Sequence, residues 1–163
     1  MDVNPIGVSG AEYRQAMRAF ATGVAIVACG EGDARAGCVA TAVASLSLSP
    51  PSLIVNLQRG GSTYRRLNTT ARFSVNFLAA AQESLARAFA GGAPAAERFR
   101  HGEWTQGQTG APLLADALAA VECEVEEILE RHTHGIVIGR VLVSRAASEG
   151  APLVHFRGRY ARF

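Results

Sequence analysis

The feature that most constrains the fold is a series of short β-branched segments with too little helix between them for regular alternation. Residues 24–29, 37–42, 52–57, 72–78, 121–126, 135–143 and 153–156 all read as strands. In the fifth of these, Val121, Cys123 and Val125 alternate with Glu122, Glu124 and Glu126, the period of two expected of a half-exposed strand. Such a series does not repeat as β-α-β-α, so a doubly wound sheet is excluded. A mainly β architecture with peripheral helices, closed as a β-barrel, is expected.

The connections fit that picture. Ser9 precedes a predicted helix over 11–20, whose Tyr13, Ala16, Met17 and Phe20 form one apolar stripe directed at the core. Ser62 is expected to cap a helix over 62–68, and a third helix covers 81–90 until Gly91-Gly92 breaks it. Ser45-Leu46-Ser47-Leu48-Ser49-Pro50-Pro51 alternates and then stops at two prolines, which reads as an extended edge segment. Residues 97–110 are polar and read as a surface excursion anchored by Trp104.

Composition closes off several classes of function. A chain of 163 residues with 48% hydrophobic and 18% charged residues is one domain with a sizeable core. The net charge of +2 comes from scattered arginines, with no lysine, and gives no nucleic-acid footprint. No apolar run approaches the ~20 residues of a membrane span, and residues 1–10 lack the pattern of a signal peptide. Cys29, Cys38 and Cys123 are odd in number and lack C-x-x-C spacing, which argues against disulfides and a zinc site, and for a reducing cytoplasm. Gly30-Glu31-Gly32-Asp33-Ala34-Arg35 is not a dinucleotide fingerprint: Arg35 stands where the third glycine belongs, and the segment joins two strands. Neither G-x-S-x-G nor H-E-x-x-H occurs.

What remains is a set of phrases in fixed order. They include Phe20-Ala21-Thr22-Gly23-Val24, Gly37 to Ala42, Ser45 to Pro51, Ser62-Thr63, Arg72 to Leu78, Gly110-Ala111-Pro112-Leu113-Leu114, His134 to Gly139, and Pro152-Leu153-Val154 with Tyr160. In this order they resemble the short-chain flavin reductase family, across residues 16–160 of a single domain 1–163. The resemblance implies a Greek-key split barrel of the FMN-binding type, and a homodimer. The implied activity is hydride transfer from NADH or NADPH to FMN or FAD, with reduced flavin diffusing to a separate flavin-dependent monooxygenase. The other readings are a split-barrel flavin binder without turnover, or an enzyme acting directly on a small molecule.

A flavin needs apolar walls, backbone groups at its pyrimidine edge, and hydroxyl or N–H donors for its phosphate. By resemblance, Ala40, Thr41, Ser45, Leu46 and Ser47 line the ring, Ser62 and Thr63 lie at the phosphate, and Arg59 is an electrostatic candidate for it. His134 positions the nicotinamide, and Tyr160 walls that pocket. Two departures stand out. Relatives read Thr-Ala-Asn-Ser where this chain has Val39-Ala40-Thr41-Ala42, and Gly-Asp-His where it has His132-Thr133-His134.

Overall fold

The computed structural model describes residues 7–162. In chain order its elements begin with helix α1 (Gly10–Met17) and strands β1 (Thr22–Gly23), β2 (Ala25–Cys29), β3 (Ala36–Ala40), β4 (Val43–Leu48) and β5 (Pro51–Gln58). Helix α2 (Ser62–Thr70), strand β6 (Arg72–Phe77), helices α3 (Glu83–Ala90) and α4 (Ala95–Arg98), and strands β7 (Trp104–Gln106) and β8 (Pro112–Leu114) follow. A long hairpin, β9 (Ala119–Arg131) and β10 (His134–Ala146), precedes a closing one, β11 (Leu153–Phe156) and β12 (Arg159–Arg162).

Seven strands form one antiparallel sheet in the order β3-β2-β6-β9-β10-β5-β4. Its edge strands β3 and β4 are consecutive in the chain, joined only by Thr41 and Ala42. A sheet whose edges are tied by so short a link must curl until they meet. The result is the expected split barrel, with its seam at that corner.

Both faces of β2 are covered, which is why Ala25-Ile26-Val27-Ala28-Cys29 is continuously apolar. Val27 joins Val55, Phe73, Val75 and Val137 inside the barrel, while Ile26 and Ala28 pack outward on Leu85, Ala86 and Phe89 of α3. On β6, Ser74 and Asn76 are fully buried and hydrogen-bonded. The Asn76 amide donates to the Ile26 carbonyl at 3.2 Å and accepts from the Leu114 N–H at 2.9 Å, and the Ser74 hydroxyl donates to the Pro112 carbonyl. These bonds fasten β8 to the barrel, so the polar positions of Arg72–Phe77 satisfy backbone that would otherwise be buried unpaired. Trp104 anchors its excursion as expected, meeting Phe89 at 5.4 Å and Phe99 at 4.9 Å between ring centroids.

Four expectations are corrected. The hairpin strands β9 and β10 each run 13 residues, well past the predicted ends, because bulges at Ile138/Gly139 and Val141/Val143 interrupt the period of two. Glu122 does not face solvent: it is 2% exposed and accepts from the Gln108 N–H at 3.1 Å and the Thr109 N–H at 2.7 Å, under the loop before β8. Ser62 is the first residue of α2, and the cap position belongs to Gly61. Helix α1 has its Ser9–Glu12 capping box but no buried residue, and Tyr13 and Phe20 are 60% and 63% exposed.

Candidate functional site

A cleft of about 830 Å³ opens beside the seam of the barrel. Its floor is the end of β3, from Cys38 to Ala40, with the Thr41-Ala42 corner; Asn56 to Gln58 of β5 form one side. The start of α2 (Gly61 to Tyr64), the tip of the β9–β10 hairpin (Arg131 to His134) and the end of α3 (Phe89 to Gly91) enclose the rest. Tyr13 of α1 reaches the same space. The volume falls in the range, roughly 300–1,000 Å³, that small-molecule and cofactor sites occupy.

The α2 end of the cleft is built for an anion. Gly61 supplies no side-chain cap, so the first-turn N–H groups keep no helical partner. The helix dipole adds partial positive charge at that end. The Thr63 hydroxyl beside them is buried and has no well-formed hydrogen bond among the described residues, its polar neighbour being the weakly bonding Cys38 thiol. A poorly bonded hydroxyl costs stability unless a ligand takes it up. Burial also pushes the neighbouring Cys38 thiol up from its ordinary value, keeping it protonated and uncharged at neutral pH. The residues present therefore fit a flavin phosphate at α2 and a flat ring along β3 and β5.

The hairpin tip is fixed from below. The Arg59 guanidinium pairs with the Glu130 carboxylate at 2.6 Å and donates to the His132 carbonyl at 3.3 Å, while the Arg59 N–H donates to the Thr133 carbonyl at 3.0 Å. Tyr64 donates its phenolic O–H to Glu130 at 2.8 Å. Burial first, and that bond second, hold the phenol above its ordinary pKa. His132 adopts a left-handed backbone with φ 50°. His134, the first residue of β10, is exposed; its Nδ1 lies 2.8 Å from the Thr133 hydroxyl, which leaves Nε2 for a ligand.

Of the residues predicted from sequence, Ala40, Thr41, Ser62, Thr63 and His134 meet in this cleft. Arg59 does not line it, being engaged by Glu130 and the hairpin backbone. Ser45, Leu46 and Ser47 lie on β4, the sheet edge, where a bulge between Ser45 and Ser47 takes Leu46 out of the pairing. Tyr160 is elsewhere, on β12, stacked 5.8 Å from His155 and 5.2 Å from the Arg87 guanidinium. Sequence reasoning missed Tyr13, Asn56, Tyr64, Phe89 and Arg98 as cleft residues. Tyr13 carries a signal, the apolar stripe of α1, but such a stripe reads first as a core-facing one.

Residues 17–163 match the Flavin reductase like domain family. An FMN reductase (NADH), RutF 2, of Rhizobium rhizogenes is 40% identical over 91% of this chain and 86% of its own. The Streptomyces globisporus NADH:FAD oxidoreductase SgcE6, solved with NAD and FAD fragments, is 31% identical with a TM-score of 0.88, over 94% of this chain and 92% of that one. BorF, the flavin reductase component of a bacterial two-component tryptophan halogenase, is 30% identical with a TM-score of 0.88, over 94% and 98% of the two chains. Cleft, fold and matched length agree, and the chain belongs to the flavin reductase-like family.

Proposed function

We propose that this protein transfers a hydride from NADH to FMN and releases the reduced flavin to a separate flavin-dependent oxygenase. The observation that carries the reading is the cleft itself, which unites the buried Thr63 hydroxyl, poorly satisfied among the described residues, at a helix start with the seam residue Thr41 and the hairpin residue His134. A bound flavin supplies the hydride acceptor. The chain's task is to hold two flat rings face to face, at about 3–3.5 Å between reacting atoms. Ser62, Thr63 and the α2 amides hold the phosphate. Thr41 and the unpaired outer edge of β4 at Ser45–Ser47 offer backbone groups to the ring edge. His134, with Nε2 free, orients the nicotinamide side. No proton need move at any side chain.

The working unit in this proposal is a homodimer, in the cytoplasm. An eight-residue helix with no buried side chain does not hold itself together in water, so α1 needs a cover. Its Tyr13 and Met17, with Phe20 just beyond the helix and Leu46 and Leu48 on the open edge of β4, give a second copy apolar surface to bury. Three free thiols suit a reducing compartment.

NADH oxidation by the purified protein, measured with and without added FMN, tests the reading. Stimulation by FMN is expected; absence of stimulation by FMN, FAD and riboflavin alike would overturn it.

A further inference from the structure

His132 and Thr133 form the turn of the long hairpin, between Arg131 at the end of β9 and His134 at the start of β10, which pair with each other. Arg59 ties this turn to the rest of the protein. Its guanidinium donates to the His132 carbonyl at 3.3 Å, and its backbone N–H donates to the Thr133 carbonyl at 3.0 Å. Arg59 directly follows β5, whose last residue, Gln58, is the other ladder partner of His134. His132 keeps φ at 50°, and a left-handed residue with a side chain persists only where its surroundings fix it.

Arg59 is in turn held by Glu130, whose two carboxylate oxygens have separate partners. Oε2 meets the Arg59 guanidinium at 2.6 Å, and Oε1 accepts from the Tyr64 phenol at 2.8 Å. Tyr64 is buried on α2, with its ring against Gly135. A continuous set of polar contacts therefore runs from α2 through Glu130 and Arg59 to the turn. It ends on the ring itself, because the Thr133 hydroxyl lies 2.8 Å from His134 Nδ1. Neither Glu130 nor Arg59 lines the cleft.

We infer that Glu130 is a positioning residue for the nicotinamide step: through Arg59 it fixes the turn, and through the turn it aims the His134 imidazole into the cleft. The inference rests on the role proposed above for His134. A group that touches a ligand acts fully only when its supports hold it in the productive geometry, and a small misplacement costs rate. The two side chains are 44% and 50% exposed, so water and salt screen the pair and its effect is several-fold rather than thousandfold.

The test variant is Glu130→Gln, which keeps an acceptor oxygen for Tyr64 and removes the charge that holds Arg59. NADH oxidation is measured at saturating FMN for wild type, Glu130→Gln, His134→Ala and the double variant, and FMN Kd by fluorescence quenching. Glu130→Gln should lower kcat/KM for NADH about 3–10-fold, leave the FMN Kd within about twofold, and add nothing to the loss caused by His134→Ala. Losses that multiply in the double variant, or an FMN Kd raised as much as kcat/KM falls, would overturn the inference. The imidazole nitrogen NMR signals of the ligand-free protein supply a readout without turnover. Glu130→Gln should shift the His134 signals and leave those of His155, on β11, unmoved. Unchanged His134 signals, or equal shifts at both histidines, would overturn it. A silent His134→Ala beside shifted His134 signals would instead contradict the role proposed for that histidine and uphold its positioning by Glu130.

Discussion

The Tyr64 ring occupies the space in which a side chain at position 135 would lie: a Cβ built on Gly135 overlaps Tyr64 Cε2 and approaches its Cζ and Oη. Helix α2 and strand β10 thus touch ring to backbone, and the phenolic O–H at 2.8 Å from Glu130 completes the contact. Gly135→Ala should destabilise the fold by about 1–3 kcal/mol, the usual cost of overpacking a filled site. Denaturant unfolding measures it. Tyr64→Phe keeps the ring and should cost only ~1 kcal/mol. Equal losses for the two variants would mean that the hydrogen bond, not the close approach, fixes the hairpin.

Thr63 allows stability and affinity to be moved in opposite directions. Its buried hydroxyl has no well-formed hydrogen bond among the described residues, so Thr63→Val removes a poorly satisfied group at nearly constant shape. Unfolding stability without ligand should hold or rise by up to about 1 kcal/mol. The FMN Kd should meanwhile rise about 5–10-fold, the worth of one hydrogen bond to phosphate. A large loss of stability with unchanged affinity would place the hydroxyl in the fold rather than the site.

The two histidines of the hairpin tip separate a ligand role from a backbone one. His134→Ala should raise the KM for NADH, or slow hydride transfer, by about 5–50-fold, as one charge-assisted hydrogen bond is lost. His132 holds φ at 50°, which glycine tolerates without penalty. His132→Gly should therefore stabilise the protein by about 0.5–1 kcal/mol and leave the KM within about twofold. If both variants raised KM alike, the loop as a whole would be responsible.

Acid sensitivity should trace partly to Glu124, which joins Arg72 of β6 at 2.8 Å and Arg140 of β10 at 2.6 Å. The hydrogen bond from Arg140, then the Arg72 charge, holds this carboxyl below its ordinary value. A depressed folded-state pKa means the stabilisation is full above the ordinary carboxylate range and fades as pH falls through the lowered value. Exposed pairs are weak, so the effect is small and screened by salt. Glu124→Gln should lower the melting temperature slightly at neutral pH and converge with wild type in acid, so that the acid limb of the profile is flatter.

Much of this was legible in the sequence, and the gaps have physical causes. Strand order and the absence of β-α alternation pointed to the barrel, and the Ser62-Thr63 pair fell at the one α2 end that faces the cleft. Period-two reasoning failed at Glu122 because it assumes one wet face, and a loop from elsewhere in the chain covers that face. Arg59 was legible as a charge near the site, but nothing local marks Glu130, far along the chain, as its partner. Tyr160 fell in a familiar phrase, yet β12 returns against β11 and carries it to α3. Contacts made across long separations are what a single sequence hides.

The seam between β3 and β4 also bears on how the chain acquires its site. The hairpins β2–β3, β4–β5 and β9–β10 each join neighbours in sequence and can form early, with little loop entropy to overcome. The pairings of β6 with β2 and β9, and of β5 with β10, draw distant segments together and come at greater entropic cost. The cleft takes residues from the β2–β3 hairpin, from β5 and from the β9–β10 tip, so no partly assembled form contains it. Ligand capture in a refolding chain is then a clock for its slowest step: a protein caught midway through maturation holds its secondary structure and remains blind to flavin.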